Sequence, residues 1–105
     1  MEQPNMSYIN SLSGGDKLFA QKLIAIIKSE FPEEKEVYLN NIDVKNFLKA
    51  AENVHKLKHK ISILGLEKSH EIASIYENEL KDGNIAQKDV FHNILETMTI
   101  YLNQL

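Results

Sequence analysis

The chain of 105 residues contains no cysteine and no arginine, and its 12 basic residues are all lysines. The absence of cysteine excludes disulfides, thiolate metal sites and cysteine nucleophiles. The absence of arginine argues against base-specific contact with nucleic acid, for which the guanidinium fork is preferred. No apolar run approaches the roughly 20 residues that a membrane-spanning helix needs. The N-terminus lacks the basic and apolar segments of a signal peptide, so we expect a cytoplasmic protein that binds neither nucleic acid nor membrane.

What is present is the composition of an ordinary globular protein. Hydrophobic residues make up 43% of the chain and charged residues 26%, and the formal net charge is −3. A chain of this length can bury one modest core. We therefore predict a single domain over residues 1–105, and we expect it to be a monomer.

Apolar residues recur at three- and four-residue steps along most of the chain, which is the period of an amphipathic α-helix. The pattern predicts three helices at about 44–64, 67–82 and 86–104, preceded by one that opens after "GGD". A further short helix is expected over "MSYINSL". Because the connections are short, successive helices should run antiparallel. The predicted fold is all-α, an up-down four-helix bundle with a short extra N-terminal helix.

Particular residues mark where these helices begin and end. Asp16 and Asp43 are the expected N-caps of the helices that follow them. Gly65 and Gly83 stand where a helix is expected to stop in a left-handed conformation. Pro32 is expected to end or kink its helix, after which "EEKEVYLNNI" continues in helical conformation.

The stretch "AENVHKLKHKISILGL" (51–66) places His55 and His59 one helical turn apart. The apolar stripe of this helix is centred on Val54 and Leu57. A helix turns by about 100° per residue, which puts His55 on the flank of the stripe and about half exposed. Three lysines stand among the histidines in the sequence, namely Lys56, Lys58 and Lys60.

The next helix returns antiparallel after a turn near Leu66, which brings Glu77 level with His55. A carboxylate that accepts a hydrogen bond from Nδ1–H fixes the tautomer of the ring and leaves a lone pair on Nε2. An outward Nε2 is a nucleophile, and neighbouring lysines would stabilise a phosphoryl group of about −2 charge bound to it. The pattern therefore predicts that the histidine is phosphorylated.

These residues resemble the histidine-containing phosphotransfer (HPt) domains of two-component phosphorelays. The hallmark of that family is H-x-L-K-G, followed about ten residues later by a pair such as L-G. Upstream, "SGGDKLFAQKLIAIIKSEFP" is similar to the family's G-G-D helix, and downstream "LEKSHEIASIYENELKDG" is similar to its return helix. The resemblance covers residues 7 to about 100. The hallmark positions that match are Ala51, His55, Leu57, Lys58, Leu64 and Gly65.

The resemblance implies a role for each residue of the site. His55 would accept a phosphoryl group from an aspartate of one receiver domain, of a response regulator or hybrid histidine kinase, and pass it to another. Lys58 would lie beside the phosphoryl group, and Glu77 would orient His55. The chain would not be an enzyme and would need no cofactor of its own, because the partner receiver supplies the magnesium ion.

The sequence departs from the family where His59 replaces the glycine of the hallmark. That glycine leaves room for the active-site loop of the partner, so His59 must swing aside, contact the partner or narrow the choice of partner. We accordingly expect the docking surface for the partner to include His59, Lys56 and Lys60. The two lysines are equally compatible with a solvent-exposed face that binds no partner.

Two other functions fit the same residues. His55 and His59 have the i, i+4 spacing of a helical zinc pair, with Glu77 or His70 as a third ligand. Against this, "HKLKH" lacks the glutamate of H-E-x-x-H, and three adjacent lysines repel a dication. The second alternative is a helical interaction module without chemistry. His70 and His92 are predicted to be ordinary surface residues.

Overall fold

The structure is a computed structural model that describes residues 2–105, and every regular element in that range is an α-helix. The all-α prediction is therefore confirmed. No helix among these residues combines the length and the apolarity needed to cross a membrane. The helices are α1 (Ser7–Ser13), α2 (Lys17–Asp43), α3 (Phe47–Ile63), α4 (Glu67–Lys81) and α5 (Lys88–Asn103).

The long helix α2 begins after Asp16, as the sequence predicts, and runs without a break through Pro32 to Asp43. The Asp16 carboxylate accepts hydrogen bonds from the backbone N–H groups of Leu18 at 3.0 Å and Phe19 at 3.2 Å. This is the N-cap arrangement that offsets unpaired donors in the first turn. Pro32 lies inside the helix and does not end it.

The turn between α2 and α3 corrects the prediction that Asp43 caps a helix starting at residue 44. Asp43 is instead the last residue of α2, and α3 starts at Phe47 after the N-cap Asn46. The Asn46 N–H donates to the Asn41 carbonyl at 2.8 Å, while Lys45 has φ of +59°. This is a Schellman motif, whose left-handed position is usually a glycine. Because a lysine occupies that position, no glycine in the sequence marks the end of α2.

Glycines close α3 and α4 by the same motif, as predicted. Gly65 has φ of +78° and Gly83 has φ of +76°. At Gly65 the chain is also crowded, because an added Cβ would lie 2.6 Å from the amide nitrogen of the Asn5 side chain. A side chain at Gly65 would therefore be strained by the left-handed backbone and would displace the side chain of Asn5.

Helix α3 packs against both α2 and α4. Its contacts with α2 run antiparallel, since Lys60 pairs with Glu30 at 3.0 Å and Asn53 accepts from Asn41 at 2.6 Å. Buried apolar residues from all five helices form one hydrophobic cluster, which includes Ala51, Val54, Leu57 and Ile61 of α3. The opposite face of α3, which carries Glu52, His55, Lys56 and His59, is exposed.

A polar network lies within this core and ties three helices together. The Tyr38 hydroxyl of α2 is 2.6 Å from the Tyr76 hydroxyl of α4 and 2.9 Å from Nε2 of His92 on α5. His92 is therefore partly buried and bonded, which corrects its assignment as an ordinary surface residue. Burial lowers the pKa of His92, and the charge of Lys88 lowers it further.

The segment that precedes α1 covers the start of α4. The Glu2 carboxylate accepts from the backbone N–H of Lys68 at 3.0 Å and of Ser69 at 2.9 Å. The Asn5 N–H donates to the Leu64 carbonyl at 2.8 Å. Partial burial alone would raise the pKa of Glu2, but the two backbone donors lower it below its ordinary value. An acidic side chain distant in sequence thus supplies the N-terminal cap that α4 lacks locally.

Candidate functional site

His55 lies in the middle of α3, on the flank of the buried apolar stripe. Its side chain is 56% exposed, whereas Val54 and Leu57 on either side are fully buried. The predicted half exposure of His55 is therefore confirmed. The ring is held at the surface by a helix whose other face is fixed in the core.

The predicted contact between His55 and Glu77 is present. Nδ1 of His55 lies 3.2 Å from Oε2 of Glu77 and 3.4 Å from its Oε1. An ionised carboxylate only accepts hydrogen bonds, so Nδ1 carries the proton of the ring. In the neutral ring the lone pair then belongs to Nε2, which has no hydrogen-bond partner within residues 2–105. The contact therefore leaves Nε2 of His55 as the ring nitrogen that is able to act as a nucleophile.

Lys58 shares the same carboxylate. Its Nζ is 3.0 Å from Oε1 of Glu77 and 3.4 Å from the Ser74 hydroxyl, and its side chain is 16% exposed. The ammonium is therefore held beside Glu77 on α4. Lys58 and Glu77 together form a charged pair directly next to the imidazole.

The ionisation of Glu77 follows from these neighbours. Partial burial alone would raise its pKa, but the hydrogen bond and charge of Lys58, followed by the contact with His55, lower the pKa below the ordinary value. Lys81 adds a weaker contact at 4.0 Å. Glu77 is thus a carboxylate at neutral pH, as its acceptor role towards Nδ1 requires.

The three lysines near His55 in the sequence place their ammonium groups in different parts of the structure. The Lys60 ammonium lies 3.0 Å from Glu30 and 3.2 Å from Glu34, and its side chain is 11% exposed. It faces α2 and is directed away from the exposed face that carries His55, and its expected part in docking stays a prediction. Lys56 is exposed and has no ion pair within residues 2–105. Of these three lysines, Lys56 is thus the one whose charge is exposed and without an ion pair in the described chain.

His59 lies on the exposed face of α3, beside His55. The two ring centres are 5.4 Å apart and the ring planes are inclined at 70°, so the rings are not stacked. Among residues 2–105 no group of three or more histidine, aspartate and glutamate side chains is placed to hold a metal ion. The proposed third ligands, Glu77 and His70, therefore do not complete a site with the histidine pair.

A shallow depression borders His55 on the side away from His59. Leu48, one of its lining residues, is 66% exposed. The depression combines an apolar floor with charges of both signs at its margin. It is lined by Leu48, Ala51, Glu52, His55, Lys56, Glu77 and Lys81.

Comparison of the chain with protein families, curated proteins and solved structures finds no match.

Proposed function

We propose that this chain is a phosphoryl carrier of the HPt type, in which His55 accepts a phosphoryl group from one receiver domain and delivers it to another. The observation that supports the proposal most strongly is the contact of 3.2 Å between Nδ1 of His55 and the Glu77 carboxylate. It fixes the proton on Nδ1 and leaves Nε2 as an exposed nucleophile.

The transfer is a displacement at phosphorus. The Nε2 lone pair of His55 forms a bond to the phosphorus of an aspartyl phosphate, while the bond from phosphorus to the aspartate oxygen breaks and its electron pair leaves with the carboxylate. The ring keeps its Nδ1 proton and becomes positively charged. Glu77 stabilises that charge as it develops, because its carboxylate already bonds to Nδ1. Transfer to the second receiver reverses these steps.

The phosphoryl group brings about two negative charges to a face on which lysines are close at hand. Lys58 would exchange part of its contact with Glu77 for the phosphoryl oxygens, and exposed Lys56 would attract the acidic surface around the donor aspartate. The magnesium ion that such a transfer needs is expected to belong to the receiver domain.

A receiver that reaches Nε2 of His55 must cover the exposed face of α3. The depression that contains Leu48 supplies an apolar contact there, and His59 lies at the opposite margin. The antiparallel contacts of α3 with α2 and α4 support the further proposal that α2–α5 form the up-down bundle of the HPt family.

The proposal is tested by phosphotransfer from receiver domains of the same organism, each phosphorylated on its aspartate. Wild-type protein and His70→Gln should acquire an acid-labile label from at least one receiver, and His55→Gln should acquire none. Circular dichroism should show that His55→Gln is folded, since the ring lies at the surface. Equal labelling of His55→Gln and wild type would refute the proposal.

A further inference from the structure

His55 and His59 on α3 lie close enough together to bind a single metal ion. His55 and His59 are separated by one helical turn, both are exposed, and their ring centres are 5.4 Å apart. A Zn–N bond is about 2.0–2.1 Å and a ring centre lies about 1.1 Å behind its nitrogen, so two imidazoles on a tetrahedral zinc ion have ring centres about 5.2 Å apart. The observed separation therefore suits a shared metal ion.

The contact of His55 with Glu77 prepares one of the two ligands. Histidines that bind metals usually donate their second N–H to a carboxylate or carbonyl, which fixes the tautomer and raises the basicity of the bound nitrogen. Nδ1 of His55 already has this arrangement, at 3.2 Å from Glu77. Its Nε2 is thus the metal-binding atom as well as the nucleophile. The ring of His59 has no hydrogen-bond partner within the described chain, so its nitrogens are not engaged elsewhere, and its centre lies 5.4 Å from that of His55.

The charges around the pair permit a cation, contrary to what the row of lysines in the sequence suggests. Lys58 is neutralised by Glu77, and Lys60 is directed at Glu30 and Glu34 of α2. The remaining lysine of the row, Lys56, lines the same depression as the carboxylate of Glu52. The repulsion of a dication expected from three adjacent lysines is therefore reduced at the histidines to that of Lys56, which is exposed to solvent.

We propose that His55 and His59 together bind one divalent transition-metal ion, and that this ion and a phosphoryl group exclude each other at Nε2 of His55. Imidazole pairs suit zinc, nickel and copper rather than magnesium or calcium. With only two protein ligands, the other positions on the ion belong to water. The exclusion half of the proposal rests on the proposed function, because it assumes that His55 is phosphorylated. The binding half does not.

Binding is measured by calorimetric titration of the untagged protein with Zn²⁺. Wild type and His70→Gln should each bind one ion, and His55→Gln and His59→Gln should bind at least tenfold more weakly. Glu77→Gln should weaken Zn²⁺ binding by about threefold to tenfold. Loss of a carboxylate that accepts from a metal-bound histidine usually weakens metal binding by about tenfold to a hundredfold, so the expected effect lies at or below the low end of that range. Failure of wild type to bind, or equal binding by wild type and His59→Gln, would overturn the proposal.

Exclusion is measured with phosphoramidate, a small donor whose P–N bond breaks with release of ammonia as the Nε2–P bond forms. Zn²⁺ at tenfold the wild-type dissociation constant should slow labelling of wild type at least fivefold, and it should slow labelling of His59→Gln by no more than about twofold, since that variant is at most about half occupied. The variant also controls for binding of Zn²⁺ to the donor. Equal slowing in both proteins would overturn the exclusion. Absence of label on wild type without Zn²⁺ would instead refute the proposed function and overturn the exclusion that depends on it, while the titration result would stand.

Discussion

Replacement of Glu77 by glutamine removes one charge from the site and preserves the shape of the side chain. In the wild type, one carboxylate serves both Nδ1 of His55, at 3.2 Å, and Nζ of Lys58, at 3.0 Å. Glutamine can still accept from Nδ1–H, but it can also present its NH₂ group and favour the opposite tautomer of the ring. The variant therefore tests whether Glu77 positions the imidazole for attack.

The expected size of the effect follows from the contact. A hydrogen bond to a charged group is worth about 1.5–3 kcal/mol and a neutral one about 0.5–1.5 kcal/mol. Because the His55 side chain is 56% exposed, the low end applies, with a loss of roughly 1 kcal/mol or about fivefold in rate. The broken pair with Lys58 should also reduce the free energy of unfolding by about 1 kcal/mol, since both side chains are mostly buried.

Two measurements separate positioning from stability. Labelling by phosphoramidate gives the rate, and ¹H–¹⁵N correlation spectra of the ring nitrogens give the tautomer of His55. Glu71→Gln, on the exposed part of the same helix, is the matched control for loss of charge. Glu77→Gln should label about fivefold more slowly and lose the preference for Nδ1–H, while Glu71→Gln should match wild type. An unchanged rate and tautomer in Glu77→Gln would refute the positioning role.

The remaining predictions concern three other side chains. Lys58→Ala should slow phosphotransfer from a receiver about tenfold, which is the scale of one charge-assisted hydrogen bond. Stopped-flow transfer rates equal to those of wild type would contradict a role of Lys58 near the phosphoryl group. His59→Ala should leave labelling of His55 by phosphoramidate intact but change the rate with a cognate receiver by at least about threefold in either direction; equal receiver rates would show that the ring does not meet the partner. Because the pKa of His92 is lowered in the folded state, the unfolded chain binds more protons near and below pH 6.5, the ordinary value. The stability of wild type in urea should therefore decrease as the pH falls through 6.5, and His92→Gln should show a smaller decrease. A decrease of the same size in His92→Gln would assign the pH dependence to other groups.

Local patterns in the sequence predict the helices and the position of His55 well. The apolar period places the core face of α3, the cap at Asp16 is present, and Gly65 and Gly83 end their helices in left-handed conformations. The short turn at Gly65 also fixes the register between α3 and α4, which is why the contact between His55 and Glu77 could be expected. The roles of these residues in phosphotransfer stay predictions.

Contacts between residues far apart in the sequence could not be predicted in this way. Lys60 is adjacent to His59 in the chain, but its partners are on α2, which no local pattern indicates. The same holds for the cap that Glu2 provides to α4 and for the bond between His92 and Tyr38. The end of α2 was missed for a different reason, because Lys45 takes the left-handed conformation in which a glycine is usually found.

The proposed function depends on the attachment of the phosphoryl group to Nε2 of His55. It is tested most directly by ³¹P and ¹⁵N spectra of the protein after treatment with phosphoramidate, with His55→Gln as the control. We expect one phosphohistidine, with phosphorus coupled to Nε2 of His55, a proton retained on Nδ1, and no such signal in the variant. Phosphorus bound to Nδ1 or to another residue, or a phosphohistidine signal that persists in His55→Gln, would contradict it.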